Sequence, residues 1–193
     1  MEETSMQENP MPRRGSSFAG SVLDWVEAVV MAVVLVAVVF TFLARVITVD
    51  GISMEPTYHD GDRVLVTKLA GPAQQGDVVI IVNALEDPII KRVIATEGQT
   101  VDFDPELGEV LVDGEPLPGS VFGAEDGITF VPDQPGQVLE FPQTVPEGCV
   151  FVLGDHRDRS TDSRFQSVGM VDRRNILGKV VFNLYPFSIL GFP

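Results

Sequence analysis

Residues 28–44 of this 193-residue chain carry no charged side chain, and valine dominates them. Begun at Val22, the apolar run is long enough to cover the roughly 30 Å hydrocarbon layer of a bilayer at about 1.5 Å of helix rise per residue. Inside lipid a lone segment must satisfy its own backbone, so a helix is required and the β preference of valine is no objection. Asp24 and Glu27 lie near one end, within reach of headgroups, and Trp25 suits that interface. The competing reading is a cleavable signal peptide, whose apolar stretch runs only about 7–15 residues and ends in a small-x-small site. Here the run is longer, and Phe42-Leu43-Ala44 puts a bulky residue where a small one is needed. An uncleaved membrane anchor over 22–44 is the expectation. Arg13 and Arg14 precede it and Arg45 follows it directly. That slight bias leans towards a cytoplasmic N-terminus and an extracytoplasmic C-terminal part in a single-pass protein of the cell membrane. Residues 1–21, with Pro10, Pro12 and Gly15, read as a disordered head.

Residues 45–193 read as one β-rich domain. The apolar share of 45% supports a real core. Arg63-Val64-Leu65-Val66-Thr67 is a strand candidate. Asp77-Val78-Val79-Ile80-Ile81-Val82 is nearly all apolar, as in a strand buried on both faces. Residues 88–95, Val150-Phe151-Val152-Leu153 and Gly178-Lys179-Val180-Val181-Phe182 are further strands. Glu109-Val110-Leu111-Val112 followed by Asp113-Gly114 is a hairpin signal. Residues 104–147 are rich in proline, glycine and acid, and read as a loop-heavy excursion. No amphipathic helix of normal length follows residue 45, and there is no internal repeat.

Charge narrows the partners. The net charge is −15, and from residue 45 onward 23 acidic side chains face 11 basic ones, a net of −12. Nucleic acid, which needs a basic face, is disfavoured as a partner, and so is electrostatic docking to anionic lipid. The single cysteine, Cys149, excludes an internal disulfide and a cysteine-based zinc cluster, and its apolar surroundings favour a buried small side chain. No metal and no cofactor are implied.

Three stretches carry chemistry. In Val49-Asp50-Gly51-Ile52-Ser53-Met54-Glu55-Pro56-Thr57, Gly51 permits close backbone approach and Pro56 stiffens the exit, a setting able to hold one hydroxyl fixed and exposed. A plain serine in a strand-to-turn connection is the simpler reading of these nine residues taken alone. Lys91 is preceded by Ile89 and Ile90 and followed, after Arg92, by Val93 and Ile94. Pointing inward, such a lysine is desolvated, its pKa falls, and the neutral amine can take a proton from a serine hydroxyl. Pointing outward, the commoner orientation for a strand lysine, it is solvated and inert. Gly154-Asp155-His156-Arg157-Asp158-Arg159-Ser160-Thr161-Asp162-Ser163-Arg164 follows an apolar strand. Asp162 and Arg164 can pair and pin this loop, and Ser160 can orient a neighbouring base; a solvated turn is the bland alternative.

Together these segments resemble bacterial type I signal peptidases (leader peptidases), from the anchor through nearly all of the chain behind it. Gly51-Ile52-Ser53-Met54-Glu55-Pro56-Thr57 is similar to the family's serine box, Gly76-Asp77-Val78-Val79 to its second box, and Lys91-Arg92-Val93 to its lysine box. Val145-Pro146 and Gly148, then the run from Phe151 to Arg164, resemble the last box. Each box alone is weak; all of them in order behind an anchor are specific. The resemblance implies a mostly antiparallel, partly barrel-like catalytic β domain behind one transmembrane helix. It implies a serine endopeptidase that removes signal peptides from secretory precursor proteins at small-x-small sites through an acyl-enzyme. Ser53 is then the nucleophile and Lys91 the general base, a dyad without histidine. Ser160 orients the Lys91 amine, Asp162 and Arg164 brace the site, and the Ser53 N–H forms part of the oxyanion hole. Asp50, Gly51 and Ile52 on one side, and Pro88, Ile89 and Ile90 on the other, flank the substrate. Many relatives have a serine where this chain has Gly51, and most have asparagine where it has His156. The bilayer and the precursor are the expected partners, with the enzyme itself a monomer. The apolar run 182–192 either rests on the bilayer or forms a final core strand.

Three rival readings stand beside this one. A histidine-based hydrolase would draw on His59 or His156, the only histidines. A self-cleaving repressor peptidase shares the Ser-Lys pair but needs a DNA-binding head where this chain has an apolar span. A membrane-anchored binding protein with an inert serine is the third, against which Ser53, Lys91 and Ser160 are all intact.

Overall fold

The computed structural model describes residues 18–42, 44–119 and 128–185. By contact it divides into two units, Met1–Phe40 and Thr41–Pro193. The first contains helix α1 (Phe18–Phe42). Side chains are described over 22–38, and the large apolar ones among them, Leu23, Trp25, Met31 and Leu35 included, are exposed. Among the described residues no helix is long and apolar enough to cross a membrane. The stretch with described side chains is shorter than the roughly 20 residues that a span needs. The helix ends at Phe42, and Ala44, expected to close the anchor, already opens a strand. The expected disordered head lies outside the described residues up to residue 17, as do residues 186–192 of the C-terminal run.

The second unit is all β apart from two short 3-10 turns among the described residues. Its strands are β1 (Ala44–Thr48), β2 (Arg63–Thr67), β3 (Val78–Ile81), β4 (Ile89–Thr96), β5 (Thr100–Asp104), β6 (Glu109–Val112), β7 (Glu115–Pro116), β8 (Gln143–Thr144), β9 (Cys149–Leu153), β10 (Val171–Asp172) and β11 (Ile176–Tyr185). A seven-stranded sheet runs β1-β2-β11-β3-β4-β9-β10, and a four-stranded sheet runs β7-β6-β5-β8. Every pairing is antiparallel. Register shifts break β11 against both its neighbours and β4 against β9. Such bulges bend and twist a strand. The large sheet stays open, because β1 and β10 pair with nothing on their outer edges among the described residues.

Alternation explains the core. On β3, Val78 and Ile80 enter one apolar cluster with Met54, Tyr58 and Val64, while Val79 and Ile81 enter another with Val93 and Val152. All four are buried, as an unbroken apolar strand requires when both faces are covered. On β9, Val150 and Val152 join that second cluster, and Phe151 and Leu153 pack with Val101, Phe103 and Val110 of the small sheet. Phe141 lies edge-on to both Phe103 and Phe151, with centroids 4.6 and 5.9 Å away. The β6–β7 hairpin turns on Asp113 and Gly114, both at positive φ (55° and 83°), the geometry of a two-residue type I′ connection. Cys149 is half-buried beside the small-sheet cluster.

Candidate active site

Ser53 sits on the turn that leaves β1 and returns as β2. Gly51 takes a positive φ of 88°, a conformation that side chains disfavour. Its N–H donates to Asp60 Oδ1 at 2.8 Å, and Val49 exchanges backbone bonds with Asp62 O and Gly61 N at 2.8 and 2.9 Å. Met54, directly after the serine, is fully buried, and Tyr58 N–H donates to its carbonyl at 2.9 Å. The serine is thus fastened on both sides, by hydrogen bonds before it and by an apolar anchor after it.

Lys91 points inward. Its residue is 3% exposed, and Nζ lies 2.8 Å from Ser53 Oγ and 2.8 Å from the Ile90 carbonyl oxygen. The structure therefore decides between the two orientations left open by the strand's composition. Burial pushes the Lys91 pKa down to about 8, against a smaller upward pull from the Asp162 and Asp155 carboxylates. The charged amine donates to Ser53 Oγ. Once neutral, it keeps a hydrogen for the Ile90 carbonyl and offers a lone pair to the serine hydroxyl, so the same contact can carry a proton the other way.

The loop after β9 is built from buried charge. Asp162 receives Arg164 Nε and Nη2, each at 2.9 Å, and both residues are buried. The Gly154 N–H donates to Asp162 Oδ2 at 3.1 Å, and Arg164 reaches on to the carbonyls of Phe130 and Arg157. Arg157 donates to the Gly154 carbonyl at 3.0 Å and to Thr129 Oγ1, and burial lowers its pKa to about 10. Among the described residues Ser160 Oγ is buried without a hydrogen-bond partner, and no bond joins it to Lys91, whose second partner is a carbonyl of its own strand. A Cβ on Gly154 would lie 2.2 Å from Ser160 Oγ and 2.5 Å from the Ser53 carbonyl oxygen, so the loop closes over the serine where only glycine fits.

Beside this centre lies a groove of about 330 Å³. Residues 47–50 form one wall and residues 87–91 the other, with Ser53 and Ile80 between. Of the residues expected to flank a substrate, Asp50, Pro88, Ile89 and Ile90 line it; Gly51 and Ile52 do not. The stretch 50–52 is turn rather than strand. Among the described residues, β1 has no strand on its outer edge, and β4 pairs with β9 only from Arg92 onward. His156, the histidine nearest in sequence to the loop's charged pairs, places its ring against the Ile52 carbonyl rather than the Ser53 hydroxyl. No group of side chains able to hold a metal occurs among the described residues.

Sequence reasoning missed the pair of Arg92 with Asp155. Arg92 Nε and Nη2 donate to the two carboxylate oxygens at 2.9 and 2.8 Å, and Nη1 donates to the Gly76 carbonyl at 2.9 Å. Each residue stood in a recognised stretch, but the partners are 63 positions apart and nothing local joins them.

A family model described as "Signal peptidase, peptidase S26" matches residues 22–185. The chain is 33% identical to "Signal peptidase I" of Bacillus licheniformis over 185 residues, covering 87% of this chain and 91% of that one. It is likewise 33% identical to "Signal peptidase I S" of Bacillus subtilis (strain 168), with 87% and 91% covered. It is 32% identical to "Signal peptidase IB" of Staphylococcus aureus (strain COL), with 86% and 91% covered. A crystal structure of a signal peptidase I from Enterococcus faecalis V583 aligns at 25% identity with a TM-score of 0.42, over 57% of this chain and 97% of that chain.

Proposed function

The chain belongs to the signal peptidase family, peptidase S26, whose members are serine proteases that remove signal peptides, and from that premise we propose that it works with Ser53 as nucleophile and Lys91 as general base. The observation that carries this reading is the 2.8 Å contact between Lys91 Nζ and Ser53 Oγ, made by a lysine that burial has brought to a pKa of about 8. Neutral Lys91 takes the hydroxyl proton as Ser53 Oγ attacks the scissile carbonyl. The ammonium then returns that proton to the leaving amine, and a water hydrolyses the acyl-enzyme by the same path. The Ser53 N–H stands at the developing oxyanion. Asp162 and Arg164 brace the loop, and Ser160 supports the site from beneath Gly154.

The substrate is a secretory precursor lying extended in the groove. Its backbone runs along the edges at 47–50 and 88–90, and alternate side chains face the wall, so two small residues separated by one are read together. Asp50, Pro88, Ile89 and Ile90 shape that wall, with Gly51 and Ile52 setting the turn at its end. The apolar segment 22–44 anchors the enzyme in the bilayer. The N-terminus is inside the cell, the catalytic domain 45–193 is outside, and the protein works as a monomer.

The test is cleavage of a precursor bearing an Ala-x-Ala site by detergent-solubilised protein. Wild type cuts; Ser53→Ala and Lys91→Ala are folded and silent. Retention of most activity by Lys91→Ala would remove the dyad.

A further inference from the structure

Resting on the Ser53–Lys91 reading, we infer that His156 is a positioning residue that aims the Ser53 N–H at the substrate's oxyanion. Its backbone N–H donates to the Ser53 carbonyl at 3.1 Å, and its ring Nδ1 lies 3.3 Å from the Ile52 carbonyl oxygen. One residue therefore holds the carbonyl on each side of the nucleophile. A carbonyl oxygen only accepts, so Nδ1 carries the hydrogen in this contact.

The consequence follows from peptide geometry. The Ile52 C=O and the Ser53 N–H belong to one planar unit and point in opposite directions. Fixing the oxygen fixes the direction of the N–H. That N–H has no hydrogen-bond partner among the described residues, as an oxyanion donor requires. Gly51 has no side chain to supply a second donor, so the aim of this one weighs more. The Ile52 oxygen has one other partner, the Glu55 N–H at 3.1 Å. The Glu55 carboxylate lies 3.8 Å from the same Nδ1. The Ile52 oxygen is thus held by a short local bond and by a side chain from a loop more than a hundred residues away, and that side chain, with the His156 N–H on the Ser53 carbonyl, ties the turn to where the loop sits.

The experiment compares wild type, His156→Ala and His156→Asn in full-length solubilised protein, on an Ala-x-Ala precursor peptide and on the same peptide ending in an aldehyde. Ser53 adds to that aldehyde with its proton passing to Lys91, leaving an oxyanion in the same place as in the reaction. Loss of the ring donor is expected to lower kcat by about 10- to 100-fold with KM within about twofold, since the donor is misaimed rather than removed. Aldehyde affinity falls by a similar factor. His156→Asn, which offers an amide N–H, recovers most of both, while melting temperatures stay close. Should His156→Ala fail to fold, His156→Leu preserves bulk without a donor and is read in its place. Unchanged kcat in the donor-less variant, a fall carried by KM alone, or no recovery with asparagine overturns the inference. Wild-type cleavage that is indifferent to Lys91→Ala instead overturns the reading beneath it, and this inference with it.

Discussion

If Lys91 takes the serine proton, the rate must follow its neutral amine, and burial sets how much of that form exists. With a pKa of about 8 instead of 10.5, about one molecule in eleven is neutral at pH 7, against about one in three thousand for a solvated lysine. Burial therefore supplies about 300-fold more of the reactive form, and it costs stability. The shift corresponds to about 3 kcal/mol held against the folded state wherever both states carry the proton. The sign follows from the depressed pKa. Above about pH 10.5 neither state is charged and the penalty is absent; it grows as pH falls and is complete below about pH 8. Lys91→Met, similar in length and uncharged, should therefore be inactive yet more stable than wild type at pH 7 by up to about 3 kcal/mol. That is a rise of about 6–12 °C in melting temperature for a chain of this size, and the advantage should fade between about pH 8 and 10.5. The assays are kcat/KM against pH, which should rise with unit slope to a plateau near pH 8, and thermal melts of both proteins across the same range. A rate centred near pH 6.5, the ordinary value for histidine, or a Lys91→Met protein no more stable than wild type at pH 7, would refute the assignment.

Gly154→Ala should cost at least about 100-fold in kcat, because the new methyl must displace Ser160 or the Ser53 carbonyl; normal turnover by a folded variant would contradict that packing. Asp162→Ala should destabilise the protein by about 3–5 kcal/mol in denaturant melts, since it strands the buried Arg164 guanidinium. Asp162→Leu combined with Arg164→Met should recover much of that loss. The full chain should resist alkaline extraction from membranes, and Val34→Lys, which sets a charge in the middle of α1 at a cost of about 3 kcal/mol, should release it.

Strand β3 was legible because an unbroken run of valine and isoleucine has one stable home, between two covered faces. Strand β4 was legible as a strand but not in its orientation. Alternation sends Lys91 and Arg92 to opposite faces, and the sequence holds no sign that both faces are covered and both cations buried. Strand β1 was hidden by its neighbour: apart from Arg45, apolar residues continue from the helix into Val46 and Ile47, and no turn signal marks where one period gives way to the other. The two-residue strands β8 and β10 are too short to carry a pattern. Within the loop after β9, the Asp162–Arg164 pair was readable because its members are two residues apart. The contacts of Asp155 with Arg92, and of His156 with the serine turn, depend on chain closure across more than sixty residues.

The neighbour relation on β4 makes misalignment detectable as silence. Lys91 lies opposite Val79 and Arg92 opposite Val78 on β3. A strand displaced by one position in one direction would deliver Arg92 to the serine, and in the other Ile90; a guanidinium stays protonated at neutral pH and isoleucine carries no base. If Lys91 is the base, as proposed, the off-by-one molecule would lack a proton acceptor, so it would be inert rather than a slower or less discriminating protease. The acceptors waiting for Arg92, two on Asp155, one on Gly76 and the Thr57 hydroxyl, are met only in the correct frame, since a lysine brought there offers a single point of charge to a fork-shaped site. On that proposal, a chain whose sheet is out of register does not cut.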